Sequence, residues 1–310
     1  MTAWTTANIP AQAGKRAIVT GATGGLGYET ALGLAAAGAD VILSGRNPAK
    51  GQAALDKIRA LHPAATARFE QLDLASLDSV AAFAERMQGE GRPIDVLINN
   101  AGVMGLPRRQ TTADGFEMQF GTNYLGHYAL TARLLPLLRQ ADRPRVIQVS
   151  SVTHHGGRIN FDDLQSERRY RPLALYGDTK LAMLMFALEL QRRSDAAGWG
   201  LVSNAAHPGW ARTDLIDNGP GTTGVMARAM KLIVAALSQS AAEGALPILY
   251  AATDPAARGG AYYGPHGFRE MKGFPAKAAI ANQAHDMAAA ARLWAESERL
   301  TGVSFASRAA

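Results

Sequence analysis

The chain has 310 residues, 47% of them hydrophobic and 19% charged, an ordinary globular composition sufficient for one large domain or two modest ones. It contains no cysteine, which excludes disulfides, thiolate catalysis and cysteine-ligated metals. The net charge is +6, yet the densest basic groups are only pairs (Arg108–Arg109, Arg168–Arg169, Arg192–Arg193) without interleaved aromatics, so no nucleic-acid partner is expected.

The opening stretch MTAWTTANIPAQAGKR lacks the basic start and apolar core of a signal peptide. The longest apolar runs, such as LAMLMFAL, are too short to span a bilayer. A soluble cytoplasmic protein with no membrane partner is the expectation. A first strand, AIVT (17–20), runs into Gly21-Ala22-Thr23-Gly24-Gly25-Leu26-Gly27 and then an alanine-rich helix over 25–37. Glycines there let the backbone approach a pyrophosphate, which the N–H groups and dipole of the following helix attract. A glycine cluster alone is often just a tight turn, but strand, turn and helix in this order favour a dinucleotide.

The second strand, VILSG (41–45), bears on which dinucleotide. An NAD site wants a carboxylate at the strand's end for the ribose 2′-hydroxyl. Here Gly45 and Arg46 stand at that end, and Asp40 lies at the other. Arg46, with Ser44 as a hydrogen-bond partner, is placed to clamp a 2′-phosphate, so NADP is the expected cofactor.

A helix over 49–61, a strand ARFEQLD (67–73), a helix over 76–88, the strand DVLIN (95–99) and a helix over 112–139 follow. Then come RVIQVS (145–150), a helix over 173–195, LVSNAA (201–206) and a last short strand, AYYG (261–264). Near-continuously apolar strands alternating with helices predict an α/β fold, a doubly wound parallel sheet of the Rossmann type. No linker or repeat interrupts it, so 1–310 reads as one domain, with a mainly cofactor-binding half at 15–150 and a catalytic half at 151–310. The stretch 208–240, rich in glycine and proline and then amphipathic, breaks the alternation, and a helical substrate lid is expected over about 210–240.

The helix over 173–195 begins with YGDTK, which sets Tyr176 and Lys180 one turn apart on one face. By itself the pair fits either a proton donor with its electrostatic tuner or a tyrosine packed beside a snorkelling lysine. The motifs around it, in their order, resemble the short-chain dehydrogenase/reductase family from about Lys15 to Thr213. TGATGGLG (20–27) resembles the family's cofactor loop, Asp73 in QLDLAS the acidic residue that touches adenine, and NNAG (99–102) its fourth-strand signature. NYLGHYALT, VSSVTHH, HPGWARTDL and YYGPHGF bring the likeness nearer to the retinol dehydrogenase, WW-domain oxidoreductase and protochlorophyllide reductase branch.

The resemblance implies a catalytic set of Asn123, Ser151, Tyr176 and Lys180. It implies cofactor contacts from Gly21, Thr23, Gly24, Gly25, Leu26, Gly27, Ser44, Arg46, Asp73, Leu74, Asn100, Ala101, Gly102, Tyr176, Lys180, Pro208, Gly209 and Thr213. In such a site Tyr176 donates a proton to the developing alkoxide while the cofactor delivers hydride. Ser151 holds the same oxygen. Lys180 favours the phenolate and binds the nicotinamide ribose, and Asn123 holds a water that refills the proton through Lys180. The implied activity is NADP-dependent interconversion of a hydrophobic aldehyde or ketone and its alcohol. A non-catalytic NADP-binding sensor or interaction protein on the same fold is the alternative.

The interval between Ser151 and Tyr176 is longer than usual for the family, implying a surface insertion around 156–172 in which Asp162 and Asp163 serve as turn residues. His154 and His155 are expected as loop histidines near the pocket mouth, His207 as a shaper of the cofactor loop, and no metal site is expected. The helices over 112–139 and 173–195 carry more apolar surface than one side of a sheet needs, which predicts a homodimer or homotetramer. The substrate pocket is expected to be apolar, lined by Met104, Trp210, Leu215, Ile216, Met226 and Met230, with Arg212 the candidate for binding a carboxylate.

Overall fold

The computed structural model describes residues 3–210 and 239–305. The expected strands form as β1 (Arg16–Thr20), β2 (Asp40–Gly45), β3 (Ala67–Gln71), β4 (Val96–Asn99), β5 (Arg145–Val149), β6 (Val202–Ala206) and β7 (Tyr262–Pro265). An eighth, β8 (Pro275–Lys277), joins at the end. They make one sheet in the order β3-β2-β1-β4-β5-β6-β7-β8. Strands β1 to β7 are parallel, and β8 runs antiparallel to β7. The order reverses between β1 and β4, which opens a crevice beyond their carboxyl ends, the place where open α/β sheets bind ligands.

Side chains on a strand alternate between faces, so each parallel strand buries residues into two layers. Val19, Leu43, Ile98 and Ile147 pack against α1 (Gly25–Ala36) and α2 (Pro48–Leu61). Ile18, Ile42, Leu97 and Val146 face α3 (Leu77–Glu90), α4 (Gly126–Leu138) and α5 (Pro172–Ala197). Two helices not anticipated from sequence complete the layers, α6 (Ala241–Thr253) on the first and α7 (Met287–Thr301) on the second.

The helix expected over 112–139 starts later than its apolar pattern suggests. Thr112 N–H bonds to Phe116 O at 2.8 Å, Gly115 is left-handed at φ 85°, and Thr111 bridges Glu117, so the first residues form a tight turn. The Glu117 carboxylate then accepts from Phe120 N–H at 2.7 Å and starts a short helical turn, Met118–Phe120. A π turn over Gly121–Leu125 leads into α4. Wide turns of this kind often occur at functional sites, and Asn123 sits in its middle.

The apolar surplus on α4 and α5 is covered within the chain. Tyr128 and Phe186 pack edge-on or tilted against Trp294 of α7 at 5.3 and 5.6 Å, and Trp294 meets Phe305 at 4.4 Å. Ile159, Phe161 and Leu164, from the extra segment before α5, close over the same layer. Part of the apolar surface from which a two-fold pairing was expected is therefore already used.

Candidate active site

The glycine turn is built by close approach. Gly21 is left-handed at φ +66°, and a Cβ there would lie 2.9 Å from Ala101 Cα. A Cβ on Gly27 would lie 2.3 Å from Gly21 O and 2.5 Å from Asn100 Nδ2, so neither position takes a larger residue. The turn is locked to the NNAG segment through Thr20, whose Oγ1 accepts from Asn100 N–H and Ala101 N–H at 2.9 and 3.0 Å. Asn100 Nδ2 returns a bond to Thr20 O at 2.8 Å. Gly24 caps α1 without a side chain, which leaves the first-turn N–H groups of Gly25, Leu26 and Gly27 aimed at the crevice for an anionic group. A dinucleotide pyrophosphate fits this cradle.

At the end of β2, a Cβ on Gly45 would meet Thr23 Cγ2 at 2.9 Å, so the glycine turn lies directly over the strand end. Arg46 is exposed just beyond, and among the described residues no hydrogen bond or ion pair engages its guanidinium. Ser44 does not join it: its side chain is buried and the hydroxyl donates into the sheet, to Val19 O at 3.2 Å. Asp40, at the opposite end of β2, is bound by Arg16 and by Arg92 at 3.4 and 2.7 Å. Asp73 accepts from Ala75 N–H at 2.9 Å, which shapes the loop after β3. Leu74 is buried beside it, with its carbonyl 2.5 Å from where a Cβ on Gly126 would stand.

The four expected catalytic residues converge. Ser151 follows β5 and caps a 3-10 turn over Val152–Gly156, its Oγ accepting from Thr153 N–H at 3.2 Å. Tyr176 and Lys180 lie in the first turns of α5 and are 9% and 4% exposed, with the Tyr176 hydroxyl near enough to Ser151 for the two to interact. Lys180 Nζ stands 5.5 Å from the Tyr176 ring centroid and donates to Val149 O at 2.8 Å. A Cβ on Gly102 would lie 3.1 Å from Asn123 Oδ1 and 3.8 Å from Lys180 Nζ, which brings the NNAG loop, Asn123 and Lys180 to one point.

The side chain of Asn123 is fully engaged. Its Nδ2 donates to Val103 O at 2.9 Å and to Thr179 Oγ1 at 3.1 Å, and its Oδ1 accepts from Val103 N–H at 2.8 Å. Asn123 therefore clamps the loop after β4 against α5. Thr179, standing where the family more often has serine, supplies the hydroxyl this clamp requires and donates onward to Tyr176 O at 2.8 Å.

Burial, not the neighbouring ammonium, governs the phenol. Desolvation pushes Tyr176 up to about 12, and the nearby Ser151 hydroxyl offsets it only in part. Loss of water around the ring sets the direction, opposite to the lowering expected from Lys180. Burial likewise brings Lys180 down to about 8. In this state the tyrosine holds its proton firmly, as a proton donor must.

Several supporting residues were not legible beforehand. A Cβ on Gly157 would lie 2.5 Å from Gly177 O, and one on Gly177 would lie 3.0 Å from Thr153 O. This pair of glycines lets the Ser151 turn press onto the start of α5. His154, expected near the mouth, is buried instead: its Nδ1–H donates to Ser151 O at 2.7 Å and its Nε2 accepts from Ala281 N–H at 3.3 Å. Burial holds it near 4, so it braces the serine as a neutral ring. His207 is also buried, accepting from Gly209 N–H at 3.2 Å and donating to Glu270 at 3.1 Å.

A third histidine, His127, joins the two halves of the site. Its Nδ1–H donates to Asn123 O at 2.7 Å, which leaves Nε2 to accept from the Thr20 hydroxyl at 2.9 Å. Burial lowers it to about 3, keeping it neutral.

Pro208 and Gly209 run off the end of β6 toward the crevice, and Gly209 is left-handed at φ +63° with Met271 O 2.3 Å from where a Cβ would stand. Thr213, Arg212 and the expected pocket residues Leu215, Ile216, Met226 and Met230, with most of the expected lid, lie outside the described residues. Among the described residues no group of three His, Asp or Glu side chains could hold a metal ion.

The model of one protein family, short chain dehydrogenase, matches residues 15–220. Polyprenol dehydrogenase of Mus musculus is 41% identical over 298 residues, 95% of this chain and 86% of that protein. Retinol dehydrogenase 13 of Homo sapiens is 43% identical over 304 residues, 96% of this chain and 86% of that protein. Among solved structures, an uncharacterized protein from Mycobacterium paratuberculosis is 40% identical with a TM-score of 0.81, covering 99% of this chain and 100% of its own.

Proposed function

The chain belongs to the short chain dehydrogenase family, in its retinol dehydrogenase-like branch, and on that premise we propose that it interconverts an apolar alcohol and its aldehyde or ketone with NADP. The observation that carries this reading is the meeting of Tyr176, Ser151, Lys180 and the Asn123 clamp at the carboxyl ends of β4 and β5. When bound, a nicotinamide cofactor would supply hydride chemistry, and the glycine turn, Arg46 and Lys180 would hold it. The chain's own residues handle the carbonyl oxygen. The Tyr176 phenol gives it a proton in reduction and takes one in oxidation, and the Ser151 hydroxyl stabilises its developing charge. Lys180 keeps a positive charge beside the phenol until the pH passes about 8, favouring the phenolate left after transfer.

Two features support the finer reading. Arg46 stands unengaged at the end of β2 where an NAD site would carry an acid, which favours a 2′-phosphate. The similar proteins are named for polyprenol and retinol, both apolar alcohols, and the described part of the expected pocket, Met104 and Trp210, is apolar. The test is a turnover screen with NADP(H) and NAD(H) on a polyprenol, retinol, a bulky aromatic ketone and a short keto acid. We expect NADP(H)-dependent turnover and a kcat/KM on the apolar compounds more than about tenfold above that on the keto acid, the least that one or two buried hydrocarbon contacts provide. A preference for the keto acid would overturn the reading and point to Arg212 as its anchor.

A further inference from the structure

The loop between β7 and β8 is unusually costly for a surface turn. His266 N–H pairs with Phe274 O at 2.9 Å and Gly267 N–H with Lys272 O at 3.1 Å. Within it Glu270 N–H returns to Gly267 O at 2.8 Å. Arg269 and Glu270 are successive left-handed residues at φ 49° and 57°, a conformation side chains rarely adopt and one that marks functional segments. At its tip Phe268 is 78% exposed, the most exposed large apolar side chain among the described residues. Phe274 and Trp210 flank it at 41% and 45% exposure, and Trp210 N–H bonds to Met271 O at 2.8 Å.

Cations predominate beside this aromatic tip, with exposed Glu243 near enough to Lys272 to interact with it. Arg269 lies 5.3 Å from the Phe268 ring centroid, and Lys272 is exposed. Glu270, the only acid between 261 and 280, is turned inward onto His207 and the Ala279 N–H, at 3.1 and 2.7 Å. Across the same carboxyl edge of the sheet a second exposed apolar side chain has cationic neighbours, here with the exposed acid Glu167 close by in sequence. Leu173, at the start of α5, is 69% exposed beside exposed Arg169 and Arg171, and its Cδ2 lies 3.3 Å from where a Cβ on Gly105 would stand.

We propose that this edge docks peripherally on an anionic lipid surface, with Phe268 inserted and Arg269, Lys272, Arg169 and Arg171 over the headgroups. Exposed aromatics next to lysine and arginine are the side chains that favour the membrane interface. A second copy is a poor occupant, because a two-fold contact would set this cationic face against itself. Docking in this way needs no spanning helix, and none of the described helices is long and apolar enough to be one. The expectation of no membrane partner rested on the short apolar runs and on the lack of a signal-peptide pattern, and neither bears on peripheral docking. The proposal deepens the apolar-alcohol reading above, since such substrates partition into bilayers, and it places the catalytic crevice against them.

The test is sedimentation of the full chain with vesicles of phosphatidylcholine, with and without phosphatidylglycerol. The chain should pellet with the phosphatidylglycerol vesicles and be released at high salt. Lys272→Glu should weaken binding at least about fivefold, the worth of one cation near such a surface, and Phe268→Asp by more than about tenfold. Turnover of a short soluble alcohol should be unchanged in Phe268→Asp. No wild-type binding, equal binding by Phe268→Asp, or a fall in oligomer mass in that variant would overturn the proposal, the last because Phe268 would then face another protein chain. If vesicle binding holds but no apolar alcohol is turned over, the substrate reading fails and the docking surface stands.

Discussion

Replacing Lys180 with methionine keeps the side chain's length and removes its charge, and stability and activity should then move in opposite directions. Lys180 is 4% exposed and its ammonium has one acceptor among the described residues, Val149 O at 2.8 Å. Burial lowers it from 10.5 to about 8, and at neutral pH that gap corresponds to roughly 3 kcal/mol by which the charged lysine destabilises the fold. Losing the bond to Val149 O costs about 1 kcal/mol, so Lys180→Met should be about 2 kcal/mol more stable than wild type at pH 7. Because the folded value lies below the unfolded one, the penalty is complete below about 8 and fades as the pH climbs toward 10.5. Urea unfolding at pH 7 and pH 10.5 checks this: the advantage should vanish at the higher pH and leave the variant slightly less stable. Turnover should fall together with cofactor affinity. A variant destabilised equally at both pH values would refute the reasoning and make Lys180 an ordinary packed residue.

Tyr176→Phe removes the proton donor and should lower turnover by about 10²–10⁴ with cofactor affinity nearly intact; retained activity would exclude the phenol from the chemistry. Arg46→Ala should weaken NADPH by roughly ten- to a hundredfold for each charge-assisted bond lost, with NADH barely affected, as isothermal titration of both cofactors would reveal. Gly157→Ala places a methyl 2.5 Å from Gly177 O and should cost about 1–3 kcal/mol through overpacking, while also reducing kcat by shifting Ser151. Gly156→Ala, whose Cβ meets nothing within 4 Å, is the matched control and should unfold like wild type.

Much of the fold was legible because the parallel strands are buried on both faces and so read as unbroken apolar runs. Strand β8 carries no such signal: it has three residues, none fully buried, and exists by pairing with β7. Helix α7 did leave traces, with Asp286 accepting from Ala289 N–H at its start and left-handed Gly302 at its end. Helix α6 likewise has a reciprocal Ser240–Glu243 cap, although Pro247 inside it blurs the pattern. At the site, residue identity was carried by motifs in their expected order, whereas the supports were not. His154 and His127 act through backbone carbonyls whose positions only the folded chain defines. The sign at Tyr176 was missed for a related reason, since pairing with Lys180 can be read from spacing but desolvation depends on everything packed around the ring.

An open sheet has two lateral borders, each a row of backbone groups on which a foreign strand could assemble. Here the border beside β7 is β8, which starts with Pro275 and ends on exposed Lys277, so one position has no N–H to offer and another carries a charge into any approaching strand. The opposite border, β3, bears Arg68 and Glu70, bound to each other at 3.3 Å and to Glu90 and Arg86 of α3. Stacking another molecule there would strip water from an ionic lattice. Both borders of the described eight-stranded sheet are therefore poor templates for fibrous growth.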